Sequence, residues 1–323
     1  MSAPFLHHYP GSPFAEKVRL MLGFKGLAWR SVIVPSVMPK PDLAALTGGY
    51  RRVPVLQTGA DVWCDTALIS RVLDALAPEP ALHRRDRVAG ESVREWADRD
   101  LFGAAVACAF RPDNLRALFD GAPPGAAQAL ADDRAAMVAN DRSVYGGASG
   151  LGRLPAPEAF GIFAAGVARI DAHLRDGRAH LVADAPTVCD FAAYHPLWFV
   201  MRVPSLAAVV RGHPAVVDWM ARMAALGHGA MQRSDAAAAR QAACDAQGAS
   251  ILPFGDEPWI DLHGIARGEP VVITPLDYGL VPVEGALEVS GPDHLAVRRT
   301  DPRAGTVVVH FPRLGYRMTR AAA

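Results

Sequence analysis

The chain contains few of the patterns that identify a function at first sight. It has four cysteines in 323 residues and no C-x-x-C pair, which argues against a disulfide scaffold and against dithiol exchange. It also lacks an H-E-x-x-H zinc motif, a G-x-G-x-x-G fingerprint and a Walker P-loop. Because these motifs bind zinc, dinucleotides and nucleoside triphosphates, we expect no metal and no nucleotide cofactor.

An excess of charge of one sign is missing as well. The 33 basic residues equal the 33 acidic ones, and nucleic-acid binding needs a basic surface, so we expect no nucleic-acid partner. The sequence shows no long apolar run and no signal-peptide pattern, so we expect no membrane partner. The cysteines lie far apart, as free thiols in a reducing compartment do, which favours a soluble cytoplasmic protein.

The first 80 residues alternate between strand and helix patterns. Apolar and β-branched runs predict strands at 5–10, 29–34, 53–57 and 61–64. Apolar residues at helical spacing predict helices at 13–26, 39–46 and 66–76. The resulting order, βαβαββα, resembles a thioredoxin-like α/β domain over residues 1–80.

Ser12 and Pro13 mark the junction between the first strand and the first helix. Proline suits the first helical position, which places Ser12 at the N-cap, beside free backbone N–H groups and the positive end of the helix dipole. Such a position stabilises an anion, and a thiolate is an anion. Two interpretations stay open: a plain helix cap, or a hydroxyl that favours an ionised thiol.

Three local patterns, in this order, resemble the cytosolic glutathione S-transferases. They are the turn and helix at 12–19, the loop 52–56 with a proline before the third strand, and the acidic-plus-hydroxyl pair that opens the helix at 65–69. The resemblance covers residues 1–230. It implies a thioredoxin-like glutathione-binding domain at 1–80, an all-α helical bundle domain at 87–232, and a homodimer.

The resemblance also implies how glutathione is held. A cis bond between Val53 and Pro54 would turn the Val53 backbone toward an extended peptide, and Asp65 with Thr66 would hold the γ-glutamyl end. Arg52 would neutralise the glycine carboxylate. Each position has a simpler alternative, namely a trans-proline at a strand start, a plain helix cap and a solvated basic loop.

The chemistry that the resemblance implies is attack by the glutathione thiolate on a small apolar electrophile, as in detoxification. The Ser12 hydroxyl would donate to the sulfur, with Tyr9 as the second choice for this role. Trp96, Asp100 and Phe102 are the candidate residues of the electrophile pocket. Two alternatives stay open: a non-catalytic binding or scaffold protein of the same fold, and a glutathione-dependent isomerase, lyase or peroxidase.

The rest of the chain divides into a helical half and an extension. Helical spacing predicts helices at 87–110, 132–144 and 157–175, and Thr187 with Asp190 forms a capping-box pattern. Residues 250–323 instead show strand patterns at four places separated by turns. These are 270–274, 281–289, 294–299 and 306–311. They predict a small antiparallel β domain that packs on the body or on a partner subunit, and no chemistry is assigned to it.

Overall fold

A computed structural model of the chain describes residues 2–83, 87–138, 154–249, 258–260 and 264–321. Within this part, ten strands form one continuous sheet. The strands are β1 (Phe5–His8), β2 (Ala28–Ile33), β3 (Val55–Thr58), β4 (Asp61–Cys64), β5 (Ala230–Ser234), β6 (Pro270–Pro275), β7 (Val283–Ser290), β8 (His294–Asp301), β9 (Gly305–Pro312) and β10 (Tyr316–Arg320). Their spatial order is β10-β6-β7-β8-β9-β4-β3-β1-β2-β5.

The helices surround this sheet and build the second half of the body. They are α1 (Pro13–Phe24), α2 (Pro41–Thr47), α3 (Thr66–Leu76), α4 (Arg87–Trp96), α5 (Phe102–Ala109), α6 (Pro112–Leu118), α7 (Ala126–Val138), α8 (Ala156–Leu174), α9 (Val188–Val200), α10 (Pro204–Arg211), α11 (Pro214–Ala224) and α12 (Ala236–Asp245), with a π-helical turn, Ala97–Leu101, between α4 and α5. None of the described helices is both long and apolar enough to cross a bilayer.

The N-terminal strands and helices form the predicted α/β domain. β1 pairs in parallel with β2 and antiparallel with β3, which in turn pairs antiparallel with β4. The observed order β1-α1-β2-α2-β3-β4-α3 is the predicted one. The thioredoxin-like fold is therefore confirmed for the first domain.

The sheet separates two hydrophobic cores, because side chains along a strand alternate between its two faces. Leu6 and Trp63 enter a core that they share with α1, α3 and the helical half. Val55 and Val62 enter a second core that they share with α2 and the C-terminal strands. One face of the thioredoxin-like domain thus packs against the helical half, and the other shares its core with α2 and the C-terminal strands.

The helical half differs from its prediction at two places. The predicted helix 87–110 is interrupted by the π-helical turn, so it becomes α4, the turn and α5. The helix predicted at 132–144 begins earlier, as α7 at Ala126, and residues 139–144 lie outside the described residues. The capping box is present, because the Thr187 N–H donates to the Asp190 carboxylate at 3.0 Å and fixes the start of α9.

The predicted antiparallel extension is confirmed, and it packs on the body of the chain. Strands β6 to β10 pair antiparallel with one another, and β9 then pairs in parallel with β4 over Asp61–Trp63 and Val308–His310. The extension therefore continues the sheet of the first domain. Sequence patterns missed β5 and β10, because each is only five residues long and β5 does not alternate between polar and apolar residues.

Candidate active site

A cleft of about 1050 Å³ lies where the first domain, the helical half and the extension meet. Eight residues predicted from the sequence for glutathione and electrophile binding line this cleft. They are Arg52, Val53, Pro54, Asp65, Thr66, Trp96, Asp100 and Phe102. The fold thus brings together residues from the β3 loop, the start of α3 and the α4–α5 region.

The floor of the cleft comes from the loop before β3. The Val53–Pro54 bond is cis, as the resemblance implied. Pro54 is buried, Val53 is half-buried, and both line the cleft directly before β3 begins. An extended ligand can therefore lie alongside the chain at this point, in the manner of an added strand.

Asp65 occupies an unusual backbone conformation at the start of α3. Its φ of +74° lies in the left-handed region, which residues other than glycine rarely adopt. One carboxylate oxygen accepts the Ala67 N–H at 3.0 Å as a helix cap, and the other accepts the Tyr316 hydroxyl at 3.1 Å. Strained residues of this kind concentrate at binding sites, where the surrounding structure holds them in place.

A buried ionic network stands behind Thr66. The Lys17 ammonium, fully shielded from solvent, donates to the Thr66 hydroxyl at 3.1 Å and pairs with the Asp98 carboxylate at 2.7 Å. Asp98 also bonds the ring nitrogen Nε2 of His195 at 3.0 Å. Since Thr66 and Asp98 line the cleft, this network fixes the position of two of its walls relative to each other.

The network keeps Asp98 ionised. Burial alone opposes ionisation, but Lys17, His195 and Arg94 together hold the pKa of the Asp98 carboxyl well below its usual range. Sequence reasoning missed both Lys17 and Asp98, and chose the exposed Asp100 instead. A π-helical turn carries Asp98, and such turns are frequent at functional sites, but a helical pattern in the sequence does not reveal them.

Ser12 and Tyr9 are not among the residues that line the cleft. Ser12 is the N-cap of α1 and is only 2% exposed, and its hydroxyl oxygen accepts the Ala15 N–H at 3.2 Å. The Tyr9 hydroxyl accepts a hydrogen bond from Arg134 of α7 at 3.1 Å. The helix cap uses the Ser12 oxygen as an acceptor, so the cap does not engage the hydrogen of this hydroxyl.

The extension contributes the remaining wall, which sequence reasoning did not anticipate. Asp277 and Tyr278 lie against Arg52: the Asp277 carboxylate pairs with the guanidinium, and the Tyr278 ring stacks with its centroid 3.9 Å from the Arg52 carbon Cζ. Asp293 of the β7–β8 turn pairs with Arg71 of α3 at 2.7 Å. These three extension residues all line the cleft.

The described residues were compared with the needs of a metal ion and of a reactive thiol. Among them, no cluster of three or more histidine, cysteine, aspartate or glutamate residues has the arrangement to hold a metal ion. The four cysteines are free thiols, three of them buried and Cys244 half-buried. Burial raises the pKa of the Cys189 thiol to about 11, so it stays protonated at neutral pH.

The fold agrees with comparisons to known proteins. The family model described as glutathione S-transferase, N-terminal domain, matches residues 6–81, and that described as glutathione S-transferase, C-terminal domain, matches residues 113–222. A solved GST-like protein from Pseudomonas syringae is 38% identical with a TM-score of 0.80, over 99% of this chain and 100% of its own. The chain belongs to the glutathione S-transferase family.

The likeness to the Pseudomonas syringae protein includes the C-terminal extension, since it spans nearly the whole of both chains. The beta-etherase LigF from Sphingobium sp. strain SYK-6 is 17% identical with a TM-score of 0.51, over 69% of this chain and 96% of its own. That likeness is one of fold alone. No curated protein sequence matches the chain.

Proposed function

We propose that this protein binds glutathione in the cleft and activates its thiol for attack on a small apolar electrophile. The observation that carries the proposal is Asp65, which is held with a left-handed φ of +74° at the start of α3 and lines the cleft beside Val53. A carboxylate there attracts the ammonium group of a γ-glutamyl end. The N-terminus of α3 attracts its carboxylate.

The thiol is expected near the start of α1. Because the Ser12 oxygen already accepts the Ala15 N–H, the hydrogen of its hydroxyl is left to donate to the sulfur. The N-terminal end of a helix also favours the charged thiolate. The thiol loses its proton to solvent, and the thiolate forms a C–S bond with the electrophile as the leaving group departs with its electron pair. Tyr9, whose hydroxyl accepts from Arg134, is the second choice.

The electrophile is expected against the helical wall of the cleft. Phe102 packs edge-on against Phe14 with ring centroids 4.7 Å apart, and both line the cleft. Trp96 adds a further aromatic surface, over which the Arg169 guanidinium lies 5.7 Å from the ring centroid. An apolar molecule suits this wall, while Asp100 at its rim is exposed and available to a polar substituent.

The proposal includes a homodimer, as the family resemblance implies. The β4 edge of the first domain is already paired with β9 of the same chain. A second subunit would therefore have to use another surface, since a strand edge that is hydrogen-bonded on both sides offers no further pairing.

Replacing Asp65 with Asn is expected to weaken glutathione binding by about tenfold or more, because the ammonium loses its charged partner. Asparagine caps helices and tolerates a left-handed φ, so the backbone of the site is retained. Titration calorimetry measures the effect, with Asp218→Asn on the exposed face of α11 as the matched control. Equal affinities of the Asp65 variant and the parent protein would contradict this role.

Replacing Ser12 with Ala is expected to lower turnover with a generic electrophile by about 100-fold while glutathione affinity changes little, because the lost interaction is made to the thiolate. The variant also loses a helix cap. Asp235→Ala, which removes the cap of α12 through its bond to the Ala238 N–H, controls for that loss. Unchanged turnover after Ser12→Ala would remove Ser12 from the mechanism.

A second candidate function is glutathione binding without catalysis. The observation that favours it is the low exposure of Ser12, which is only 2%, together with its place outside the cleft lining. Under this alternative the parent protein binds glutathione but shows no turnover with any electrophile. The same calorimetric and turnover measurements therefore separate the two functions.

A further inference from the structure

The arginines around the glutathione end of the cleft are each paired with an aspartate from outside the first domain. Arg52 pairs with Asp277 and Arg71 with Asp293, both from the extension. Next to Arg52, Arg51 pairs with Asp133 of α7 at 2.6 Å. Both extension aspartates line the cleft together with the arginines that they neutralise.

The pair between Arg52 and Asp277 is well shielded. The side chain of Arg52 is 11% exposed and that of Asp277 is 28% exposed. The guanidinium also donates to the Tyr278 carbonyl and lies on the Tyr278 ring. Ion pairs in such partly buried positions are screened little by solvent, so the Arg52 charge is compensated before any ligand arrives.

The other charges of the cleft also disfavour a ligand carboxylate. Among the described residues, seven carboxylate side chains and five guanidinium groups line the cleft, and none of these described lining residues is a lysine or a histidine. A free carboxylate that enters next to Arg52 must displace Asp277 or lie beside it, and like charges at short distance disfavour binding. An uncharged group meets neither cost.

We propose that Asp277 determines the specificity of the thiol site, and that the preferred ligand is a γ-glutamyl thiol whose far end has no free carboxylate. An amide, an ester or an amine-bearing conjugate of the glycine carboxyl group fits this description. This inference rests on the proposed function, in which Asp65 holds the γ-glutamyl end, and on the family resemblance, which implies that the glycine end lies by Arg52, a lining residue next to Val53. The extension thus acts as a part of the binding site that selects the ligand by its charge.

Titration calorimetry with glutathione and with its glycine monoethyl ester tests the inference on the full chain. The parent protein is expected to bind the ester several-fold more tightly than the free acid. In Asp277→Asn, the freed Arg52 guanidinium is expected to tighten binding of the free acid by about tenfold or more. Binding of the ester should change little, so the order of preference reverses.

Two further variants test whether the preference between acid and ester depends on carboxylates that line the cleft. Asp293→Asn, which frees Arg71 in the same cleft, is expected to shift the preference in the same direction and serves if Asp277→Asn fails to fold. Asp301→Asn removes a carboxylate from the extension outside the cleft lining, and it should leave the preference unchanged.

Tighter binding of the free acid by the parent protein would overturn the inference, as would an unchanged ratio of affinities in the folded Asp277 or Asp293 variants. In both cases glutathione still binds, so the glutathione-binding part of the proposed function stands. If neither thiol binds the parent protein at millimolar concentration, the proposed function itself fails and takes this inference with it. The two failures are therefore distinguishable.

Discussion

Asp98→Ala is expected to lower the free energy of unfolding by about 3–5 kcal/mol, the cost of leaving a buried charge without its partner. The Lys17 ammonium is completely shielded, and its bonds at 2.7 Å to Asp98 and 3.1 Å to Thr66 take the place of water. Without the carboxylate, α1 presents an uncompensated cation to the helical half, and His195 loses its hydrogen-bond partner. Urea unfolding of the parent protein and of the Asp98→Ala variant measures the difference in free energy of unfolding.

The π-helical turn supplies its own control for this variant. Asp100 lies two residues further along the same turn, but its side chain is exposed. Asp100→Ala is therefore expected to change the free energy of unfolding by about 0.5 kcal/mol or less. Nearly equal stabilities of the Asp98 and Asp100 variants would mean that water, rather than Asp98, compensates Lys17.

Acidification from about pH 7.5 to about pH 5 is expected to destabilise the fold by about 2 kcal/mol for each buried neutral histidine. Burial lowers the pKa of His7 to about 4 and that of His195 to about 4, against the opposing effects of Gln57 and Asp98. Burial and the neighbouring Arg19 lower the pKa of His8 to about 3.

The loss of stability at low pH follows from proton uptake by the unfolded chain. An unfolded histidine titrates near about pH 6.5. Between that pH and about pH 4, each of these rings is therefore protonated in the unfolded state but neutral in the folded state. The stabilisation is complete above about pH 6.5 and is lost as the pH falls toward the folded-state pKa. Asp98 adds nothing to the loss between about pH 7.5 and about pH 5, because an unfolded aspartate titrates near about pH 3.9 and folding lowers the pKa of Asp98 further, so the carboxyl is ionised in both states over that range.

Variants of two histidines test the origin of this pH dependence. His7→Gln is expected to reduce the slope of unfolding free energy against pH by about one proton, because it removes one buried titrating ring. His173→Gln, at an exposed position on α8, is the matched control for the loss of an imidazole ring. A stability that stays constant or increases on acidification would show that these rings protonate without loss of structure.

The sequence predicted the first domain well because its signals are local. Proline at the start of α1, glycine after its end and alternating apolar residues in the strands all act over a few neighbouring residues. The same holds for the capping box of α9, where Thr187 and Asp190 lie three positions apart. Family patterns then located the cis-proline loop and the start of α3.

The missed residues of the site depend on contacts between distant parts of the chain. Lys17 and Asp98 are 81 positions apart, and neither has a local pattern that reveals its partner. The family resemblance implies that Arg52 binds a ligand carboxylate. In the structure, its guanidinium pairs with Asp277, which lies 225 positions away. Charge patterns along the sequence predict solvated residues, whereas burial decides which of them must pair.

The sequence by itself determined the element order, the two family domains, the β character of the extension and eight of the residues that line the cleft. These features follow from hydrophobic periodicity and helix caps, whose effects depend on near neighbours. The tertiary structure alone decided that β9 joins the sheet at β4 and that Asp277 and Asp293 reach the arginines of the cleft. That outcome depends on which buried surfaces and charges meet across the fold, and sequence spacing does not encode it.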